Sequence, residues 1–338
     1  MKNRVANRHL QSAKTLKQDE FYTQLSDIEK ELKHYKEHFK GKVVLCNCDD
    51  PRVSNFFHYF SYSFEQLKLK KLIATCYKNQ NADLFSENKS EKAIYLEYMG
   101  DKNENKIPDP EEIGIKHLNG DGDFRSKECI ELLKQADIVV TNPPFSLFRE
   151  YVAQLIEYDK KFLIIGNQNA ISYKEIFSLF KENKVWLGYM HPVNFIVPDH
   201  YEHREFRSWR DENGTNWRSL GNACWYTNLD IAKRHEDMIL YKNYKKTDYM
   251  KYDNYKAIEV SRFADIPMDY EGVMGVPITF LDKYNPAQFE IIGFDYEIRQ
   301  GLLPELVKSN WNGKIDRGYI NGKRLYARIL IKNKKIVN

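Results

Sequence analysis

The sequence lacks any apolar run close to the ~20 residues that a membrane-spanning helix needs. Its basic N-terminal segment also lacks the apolar stretch of a secretory signal. We therefore expect neither a membrane protein nor a secreted one, and we predict a cytoplasmic location.

Cysteines are few, odd in number and scattered: Cys46, Cys48, Cys76, Cys129 and Cys224. This usage predicts reduced thiols rather than a disulfide framework. Cys46 and Cys48 lie close together, but no His or Cys pair is spaced to complete four ligands with them. We therefore expect no metal site.

A strong excess of one charge is also missing. Lysine and arginine together number 52 and the acids number 48, which gives a net charge of +4 over 338 residues. This weak excess does not identify a nucleic-acid binder, so the distribution of charge matters more than the sum. In residues 301–338, nine Lys and Arg residues accompany two acids. We interpret this segment as a surface that contacts phosphates, with a solvated basic tail as the alternative.

Short apolar segments alternate with helical ones through much of the chain, which predicts an α/β fold. The predicted strands are residues 42–46, 72–76, 115–118, 137–141, 161–165, 185–189 and 223–227. The predicted helices between them are residues 27–39, 56–67, 129–135, 148–157 and 172–182. Such alternation is typical of a Rossmann-like, mostly parallel seven-stranded sheet with helices on both faces.

The domain boundaries follow from where this alternation begins and ends. Residues 1–18 form a basic N-terminal arm, and residues 19–230 form the catalytic domain, with polar insertions near 78–105 and 200–222. The alternation stops after residue 230. Residues 231–338 are therefore predicted to form a smaller C-terminal unit.

The strongest functional signal is the tetrapeptide Asn142-Pro143-Pro144-Phe145, which directly follows a predicted buried strand. In such a sheet the carboxyl ends of the strands face the ligand crevice. The Asn142 side-chain oxygen and the Pro143 carbonyl are two acceptors that can localise the lone pair of a planar amine. The two prolines stiffen the turn that holds these acceptors, and Phe145 offers a face for a base to stack on. The alternative is an ordinary Pro-Pro turn after a strand.

This tetrapeptide matches the (D/N/S)PP(Y/F) motif of the amino-group methyltransferases. The chain also resembles the EcoRI-type adenine-specific DNA methyltransferases over almost its whole length. The matching stretches are DEFYTQ (19–24), VVLCNCDDPRVSNFF (43–57), GDGDFRS (120–126), DIVVTNPPFSLFREY (137–151), NFIVPDHY (194–201), GVMGVPITFL (272–281) and RILIKN (328–333).

The resemblance implies transfer of the methyl group of S-adenosylmethionine to N6 of adenine in double-stranded DNA. It implies base flipping, direct in-line transfer and a GAATTC-like site. It also implies a C-terminal unit for DNA recognition and a cognate restriction endonuclease acting on the same site. We expect a monomer.

The residues that the resemblance assigns to the cofactor are Phe21, Tyr22, Thr23, Asn47, Asp49, Asp50, Asp123, Phe124 and Asn142. The usual glycine-rich first motif is missing, because the first strand leads into residues 46–52 without a glycine. Asp50 has a helix N-cap as its alternative role. Asp123 would accept from the cofactor's adenine amine, unless it lies in a solvated turn.

The resemblance also assigns the target-base pocket, whereas the distribution of Lys and Arg indicates the DNA contacts. Phe195 is expected to face Phe145 as a second wall, with a place in the core as the alternative. The predicted DNA-binding residues are Arg204, Arg207, Arg210, Lys323, Arg324 and Arg328. The arginines of the 200–222 segment are candidates for base readout, because arginine pairs bidentately with guanine.

Two other functions fit part of this pattern. A protein-glutamine methyltransferase would use the same tetrapeptide on a side-chain amide. The missing glycine-rich motif and the basic C-terminal segment disfavour it. A catalytically silent DNA-binding regulator would use the same scaffold, and the intact motifs disfavour that reading.

Overall fold

A computed structural model describes residues 21–48, 54–77, 93–101, 114–197 and 207–336. The chain divides into two compact units, one of residues up to Ala170 with Gly188–Leu229, the other of Ile171–Leu187 with Asp230–Asn338. Within the described ranges, no helix is long and apolar enough to cross a membrane.

The first unit contains eleven strands and six helices among its described residues, numbered here along the whole chain. Its strands are β1 (Tyr22–Thr23), β2 (Val43–Asn47), β3 (Lys71–Cys76), β4 (Ile94–Tyr98), β5 (Lys116–His117), β6 (Ile138–Thr141), β7 (Lys161–Asn167), β9 (Asn194–Ile196), β10 (Ser208–Arg210), β11 (Asn216–Ser219) and β12 (Ala223–Thr227), with β8 (Trp186–Leu187) at the unit boundary. Its helices are α1 (Leu25–Leu32), α2 (Lys36–Phe39), α3 (Asn55–Tyr62), α4 (Phe64–Leu67), α5 (Lys127–Gln135) and α6 (Phe148–Glu157), with short 3-10 turns at Phe145–Leu147 and Gln168–Ser172.

Seven strands of the first unit form its main sheet, in the order β5-β4-β3-β2-β6-β7-β12. Strands β2, β3, β6 and β7 are parallel neighbours. Strands β4, β5 and β12 pair in the antiparallel sense. The sheet is therefore mixed, and the prediction of a mostly parallel sheet is corrected to a parallel centre with antiparallel edges.

The antiparallel edge arises from a strand that the sequence did not predict. Residues 94–98 fall within the segment assigned to a polar insertion, yet they pair with β3 over five residues. Alternate residues of β4 are buried, which is the pattern of an edge strand with one face on the core. The polar residues on both sides of this short run concealed it.

A second, smaller sheet of the first unit has the order β1-β9-β11-β10, with antiparallel pairing throughout. Strands β10 and β11 lie within the other segment assigned to a polar insertion. This sheet adjoins Asn142, because the Thr23 hydroxyl on β1 and the carbonyl of Phe21 just before it both contact the Asn142 amide.

The second unit has its own helices and strands. They are α7 (Lys174–Lys181), β13 (Ala257–Glu259), β14 (Val273–Val276), β15 (Phe289–Phe294), α8 (Asp295–Arg299), β16 (Tyr319–Ile320), β17 (Lys323–Arg324) and β18 (Ile329–Asn333), with 3-10 turns at Ala232–His235, Phe263–Asp265, Ile278–Lys283 and Pro304–Leu306. Four of these strands form a sheet of order β13-β14-β18-β15.

The division of the chain differs from the predicted domains at one segment. Residues 171–187 were assigned to the catalytic domain, whereas they group with the second unit. The physical reason is aromatic packing: the ring of Phe177 on α7 lies 5.0 Å from that of Phe294. Phe177 also contacts Tyr296, with ring centroids 6.2 Å apart.

Asp295, at the start of α8, is fully buried in the second unit. Burial raises its pKa to about 6, against the opposing charges of Arg317 and Arg328. The Arg317 guanidinium lies 3.5 Å from one carboxylate oxygen, and the backbone N–H of Arg328 donates to the other at 3.1 Å. The folded protein thus binds a proton at Asp295 more tightly than the unfolded chain does.

This linkage predicts a pH-dependent stability difference between the wild type and Asp295→Asn. Because the folded pKa is raised, stability falls as pH rises from about 4 to about 6 and stays reduced above that. In urea unfolding, the stability of the variant relative to the wild type should therefore increase by ~1 kcal/mol between pH 5 and pH 7.5.

Asp316→Asn is the control for that measurement. Despite partial burial, hydrogen bonds from Tyr319 and Arg324 lower the pKa of Asp316, so its contribution to stability rises with pH. The relative stability of this variant should move in the opposite direction. If the stabilities of Asp295→Asn and the wild type changed with pH in parallel, the raised pKa of Asp295 would be contradicted.

Candidate active site

Strands β2, β3 and β6 are parallel, so their carboxyl ends meet at one edge of the main sheet. Asn47 ends β2 and Thr141 ends β6. The Thr141 hydroxyl donates to the Asn47 carbonyl, which ties the two strand ends together. The turn that begins at Asn142 therefore starts at the position where open α/β sheets bind ligands.

Asn142 is buried and its amide nitrogen has two partners on β1 and the residue before it. The nitrogen donates to the Phe21 carbonyl at 2.5 Å and to the Thr23 hydroxyl at 3.3 Å. A carbonyl oxygen can only accept, so these contacts fix which end of the amide is nitrogen. The Asn142 side-chain oxygen is consequently the atom left to accept a hydrogen bond from a ligand.

The backbone carbonyls of the two prolines differ in their hydrogen bonds. The Pro144 carbonyl accepts from the Leu147 N–H at 2.9 Å as the 3-10 turn begins. No hydrogen bond within the described ranges uses the Pro143 carbonyl. The turn thus presents a second acceptor beside the Asn142 side-chain oxygen.

Three phenylalanine rings lie beside this turn. The Phe21 ring lies 5.4 Å from that of the half-buried Phe145, and 5.9 Å from that of Phe195. Phe195 has no exposed surface in β9. The prediction that Phe195 directly faces Phe145 is therefore corrected: Phe21 occupies that position, and Phe195 packs against Phe21 with an edge-on geometry.

Tyr151 on α6 connects the end of β2 to Phe124. Its hydroxyl donates to the Asn47 side-chain oxygen, and its ring packs edge-on against Phe124 at 5.0 Å. Burial raises the pKa of Tyr151 well above its usual value, so the hydroxyl remains a donor. With its oxygen engaged, Asn47 has its amide N–H groups to offer to a ligand.

The turn at residues 120–123 lies against the end of β3. Gly122 has φ of 77°, and a Cβ there would lie 2.5 Å from the Cys76 carbonyl oxygen. Glycine is therefore required by both backbone conformation and close approach. This contact brings Asp123 and Phe124 to the same sheet edge as Asn47 and Asn142.

Asp123 forms a two-pronged ion pair with Arg125. The Nε of Arg125 lies 2.9 Å from one carboxylate oxygen of Asp123 and an Nη lies 2.7 Å from the other. The remaining Nη donates to Glu150 on α6 at 2.7 Å. The guanidinium also lies over the Phe124 ring, 5.2 Å from its centroid. An ionised carboxylate has further lone pairs, so this pairing orients Asp123 without using all its acceptor capacity.

Cys48 follows β2 and has φ of 89°, a conformation that favours glycine. The glycine missing from the first motif is thus replaced by a cysteine in a strained backbone conformation. Asp49 and Asp50, which the sequence assigns to the cofactor, lie outside the described residues.

Glu31 on α1 is a fully buried carboxylate. It accepts from the backbone N–H groups of Tyr189 at 2.9 Å and Met190 at 2.7 Å, and from the Tyr35 hydroxyl at 2.7 Å. A Cβ on Gly188 would collide with it. Glu31 thereby fixes α1, which follows β1, against the segment that leads into β9.

The predicted DNA-binding residues of the first unit lie on the edge of its small sheet. Arg207 lies directly before β10 and Arg210 is its last residue, and both are exposed. The Arg210 Nε donates to the Gly214 carbonyl at 2.7 Å, inside the β10–β11 turn. Arg204 and the arm of residues 1–18 lie outside the described residues.

In the second unit, Lys323 and Arg324 are exposed on β17, after a turn in which Asn321 and Gly322 both have positive φ. Arg328 behaves differently. Its guanidinium donates to both oxygens of Glu259, whose side chain is largely buried, at 2.7–3.1 Å. The prediction that Arg328 contacts DNA is corrected, because its charge is already committed inside the unit.

Sequence reasoning missed Tyr151, Glu31 and Arg125. Tyr151 sits on the buried face of an amphipathic helix, where its spacing indicates only a core residue. Glu31 lies on α1, where a charged residue is expected to be exposed. Arg125 had one available signal, its place directly after the Asp-Phe pair.

A mixed α/β unit with an Asn-Pro-Pro-Phe turn at its sheet edge has the arrangement of an amino-group methyltransferase. The family model for the adenine-specific methyltransferase EcoRI matches residues 9–334. The chain belongs to this family, and it is a DNA adenine methyltransferase.

Curated relatives cover almost the whole chain. The type II methyltransferase M.EcoRI of Escherichia coli is 52% identical over 99% of both chains. M.MgeORF184P of Mycoplasma genitalium is 39% identical over 97% of this chain and 99% of its own. M.MpnI of Mycoplasma pneumoniae is 38% identical over 96% and 98%. No solved structure matches the chain.

Proposed function

We propose that the protein transfers the methyl group of S-adenosylmethionine to N6 of an adenine flipped out of duplex DNA. One observation carries the proposal: both partners of the Asn142 amide nitrogen are internal, so its oxygen is the acceptor for the target amine. A base inside a duplex cannot reach a buried turn, so extrusion is required, at a cost of a few kcal/mol.

In this mechanism the chain positions the amine rather than activating it with a base. The Asn142 oxygen and the Pro143 carbonyl accept hydrogen bonds from the two N–H groups of the amine and turn the nitrogen lone pair towards the methyl group. Phe145 stacks on the extruded ring. The bound cofactor supplies a methyl group on a sulfonium, which needs no covalent enzyme intermediate. Positioning and electrostatics carry the rate.

The residues at the sheet edge fit S-adenosylmethionine. Asp123 offers carboxylate oxygens for the adenine amine, and Phe124 supplies an aromatic ring beside it. Thr23 and Asn47 lie at the ends of β1 and β2, beside Asn142, where they are suited to the polar methionine part. Gly122 leaves room for the close approach of the turn to β3.

Phe195 supports the target pocket through Phe21 in this proposal. Phe195→Leu should reduce the fluorescence rise of 2-aminopurine at the target adenine about fivefold at a fixed DNA concentration, because a weaker pocket recovers less of the extrusion cost. Leucine is chosen because Phe→Ala in a core costs ~3–5 kcal/mol and risks unfolding.

The salt dependence of DNA binding separates this role from a general loss of structure. Phosphate contacts set the slope of log affinity against log salt, so the slope should be unchanged in Phe195→Leu. A normal fluorescence rise in a folded variant would show that Phe195 is only a core residue.

The test of the function is methyl transfer with a radiolabelled methyl donor, offered DNA and protein substrates separately. Label on N6 of adenine supports the proposal. Label on a glutamine side chain would instead show that the protein is a protein-glutamine methyltransferase. Absence of label from a folded, cofactor-binding protein would favour a silent regulator.

The site sequence and the biological setting are also proposed. We propose a GAATTC-like target, from the 52% identity to M.EcoRI, and sequencing of N6-methyladenine in an expressing host tests it. A type II modification enzyme works beside an endonuclease of the same specificity, so such a partner is proposed here too. We further propose that the protein acts as a monomer, in the compartment that holds the DNA.

A further inference from the structure

The small sheet of the first unit has two faces with different neighbours. Successive residues of a strand point to opposite faces. Thr23 and Phe195 pair across β1 and β9 on the inner face, where both are buried. The Thr23 hydroxyl contacts Asn142. The inner face therefore adjoins the catalytic turn.

The other face carries an apolar row that runs outward from the site. Tyr22 pairs with Ile196, Ile196 with Trp217, and Trp217 with Trp209. Tyr22, Ile196 and Trp217 are partly buried, and Trp209 at the end of the row has an exposed fraction of 40%. Exposed tryptophan at the end of an ordered row is characteristic of a binding surface.

The two tryptophans are held rigidly. Their indole planes are within 5° of parallel, with centroids 6.1 Å apart. The Trp217 indole N–H donates to Asp211 at 2.8 Å, and the same carboxylate accepts from the backbone N–H groups of Asn213 and Thr215, both at 2.9 Å. Trp209 thus loses little conformational freedom when a ligand binds to it.

The charge and the reach of this hairpin fit duplex DNA. The exposed Arg207 lies two residues before Trp209, and the exposed Arg210 follows Trp209 directly, on the opposite face of the strand, with its Nε on the Gly214 carbonyl. Cations around an aromatic platform are the usual means of holding nucleic acid. Four strands spaced ~4.8 Å apart place Trp209 roughly 14 Å from Tyr22, or about four base pairs at ~3.4 Å each.

We propose that the β10–β11 hairpin is a DNA-contacting platform, in which Trp209 packs against bases a few steps from the extruded adenine. The inference rests on the proposed base-flipping function. It adds an apolar contact that stabilises the distorted duplex beside the target, next to the phosphate contacts of Arg207 and Arg210. Stacking or wedging by one aromatic side chain is a sequence-tolerant contribution to affinity.

The test compares Trp209→Ala, Trp209→Phe and Tyr62→Ala in the full-length protein. Tyr62 is a matched control, because it lies on α3 of the same unit with an exposed fraction of 64%. The affinity for a fluorescein-labelled duplex that contains the unmethylated target sequence is measured by anisotropy. The measurement is repeated over a range of salt concentrations, with a non-reactive cofactor analogue present. Thermal unfolding and cofactor affinity are measured alongside.

Trp209→Ala should bind the duplex roughly 5- to 30-fold more weakly. Its salt slope and cofactor affinity should match the wild type, because an apolar contact releases no counterions. The duplex affinity of Trp209→Phe should lie between those of Trp209→Ala and the wild type. The duplex affinity of Tyr62→Ala should stay within about twofold of the wild type. If Trp209→Ala is unstable, the Phe variant, which keeps the ring pair, decides the question.

Equal duplex affinity of the wild type and both Trp209 variants would overturn the platform while leaving the proposed function intact. An equal loss in Tyr62→Ala would overturn it as well. Failure of the wild type to methylate any duplex would instead reject the base-flipping function on which the inference rests.

Discussion

Asn142→Ala should lower the rate of methyl transfer at saturating DNA and cofactor by roughly 10²–10³-fold, the usual cost of removing one acceptor or donor that acts in the transition state. The physical reason is the orientation of the amide, whose nitrogen is held by Phe21 and Thr23 and whose oxygen is left for the target amine. Single-turnover transfer of a labelled methyl group measures this rate, and calorimetry with a cofactor analogue should show affinity close to normal.

The same side chain also fastens β1, so a control must separate anchoring from catalysis. Thr23→Val removes one of the two anchoring contacts and keeps the Asn142 oxygen in place. It should slow transfer only a few-fold. If Thr23→Val reproduced most of the Asn142→Ala defect, or if cofactor affinity collapsed in Asn142→Ala, the acceptor role would be wrong.

The position of the Asn-Pro-Pro-Phe turn could be predicted because its signal is local. Four consecutive residues after an apolar strand define a stiff turn, and the parallel centre of the sheet places that turn at its carboxyl edge. The partners of Asn142 could not be predicted in this way. Phe21 and Thr23 precede it by more than a hundred residues, and their position depends on pairing between β1 and β9.

The unpredicted strands share a physical cause. Strand β4 and the β10–β11 hairpin are short and flanked by polar residues, so hydrophobic periodicity over a long window does not detect them. The hairpin did carry a turn signal, Asp211 to Gly214, between two segments that each contain a tryptophan. Arg328 illustrates the converse limit, because a count of basic residues cannot show that Glu259 already neutralises one of them.

Asp123→Ala should raise the dissociation constant of the cofactor roughly 10- to 150-fold, since a hydrogen bond to a charged group is worth ~1.5–3 kcal/mol. The carboxylate lies at the sheet edge beside Phe124, and its two-pronged ion pair with Arg125 holds it oriented. Calorimetric titration with S-adenosylmethionine measures the change. At saturating cofactor the rate of transfer should return close to that of the wild type, which distinguishes this residue from Asn142.

Arg125→Met provides the control that decides between a direct and an indirect role for Asp123. It breaks the ion pairs to Asp123 and Glu150 but keeps the carboxylate that is proposed to meet the cofactor. Direct contact predicts a loss of affinity of only a few-fold in Arg125→Met, because the carboxylate merely becomes more mobile. A loss as large as that of Asp123→Ala would mean that the turn at residues 120–123 depends on the ion pair, and that Asp123 acts on the cofactor only by shaping this turn. Unchanged affinity in Asp123→Ala itself would remove the carboxylate from the cofactor site altogether.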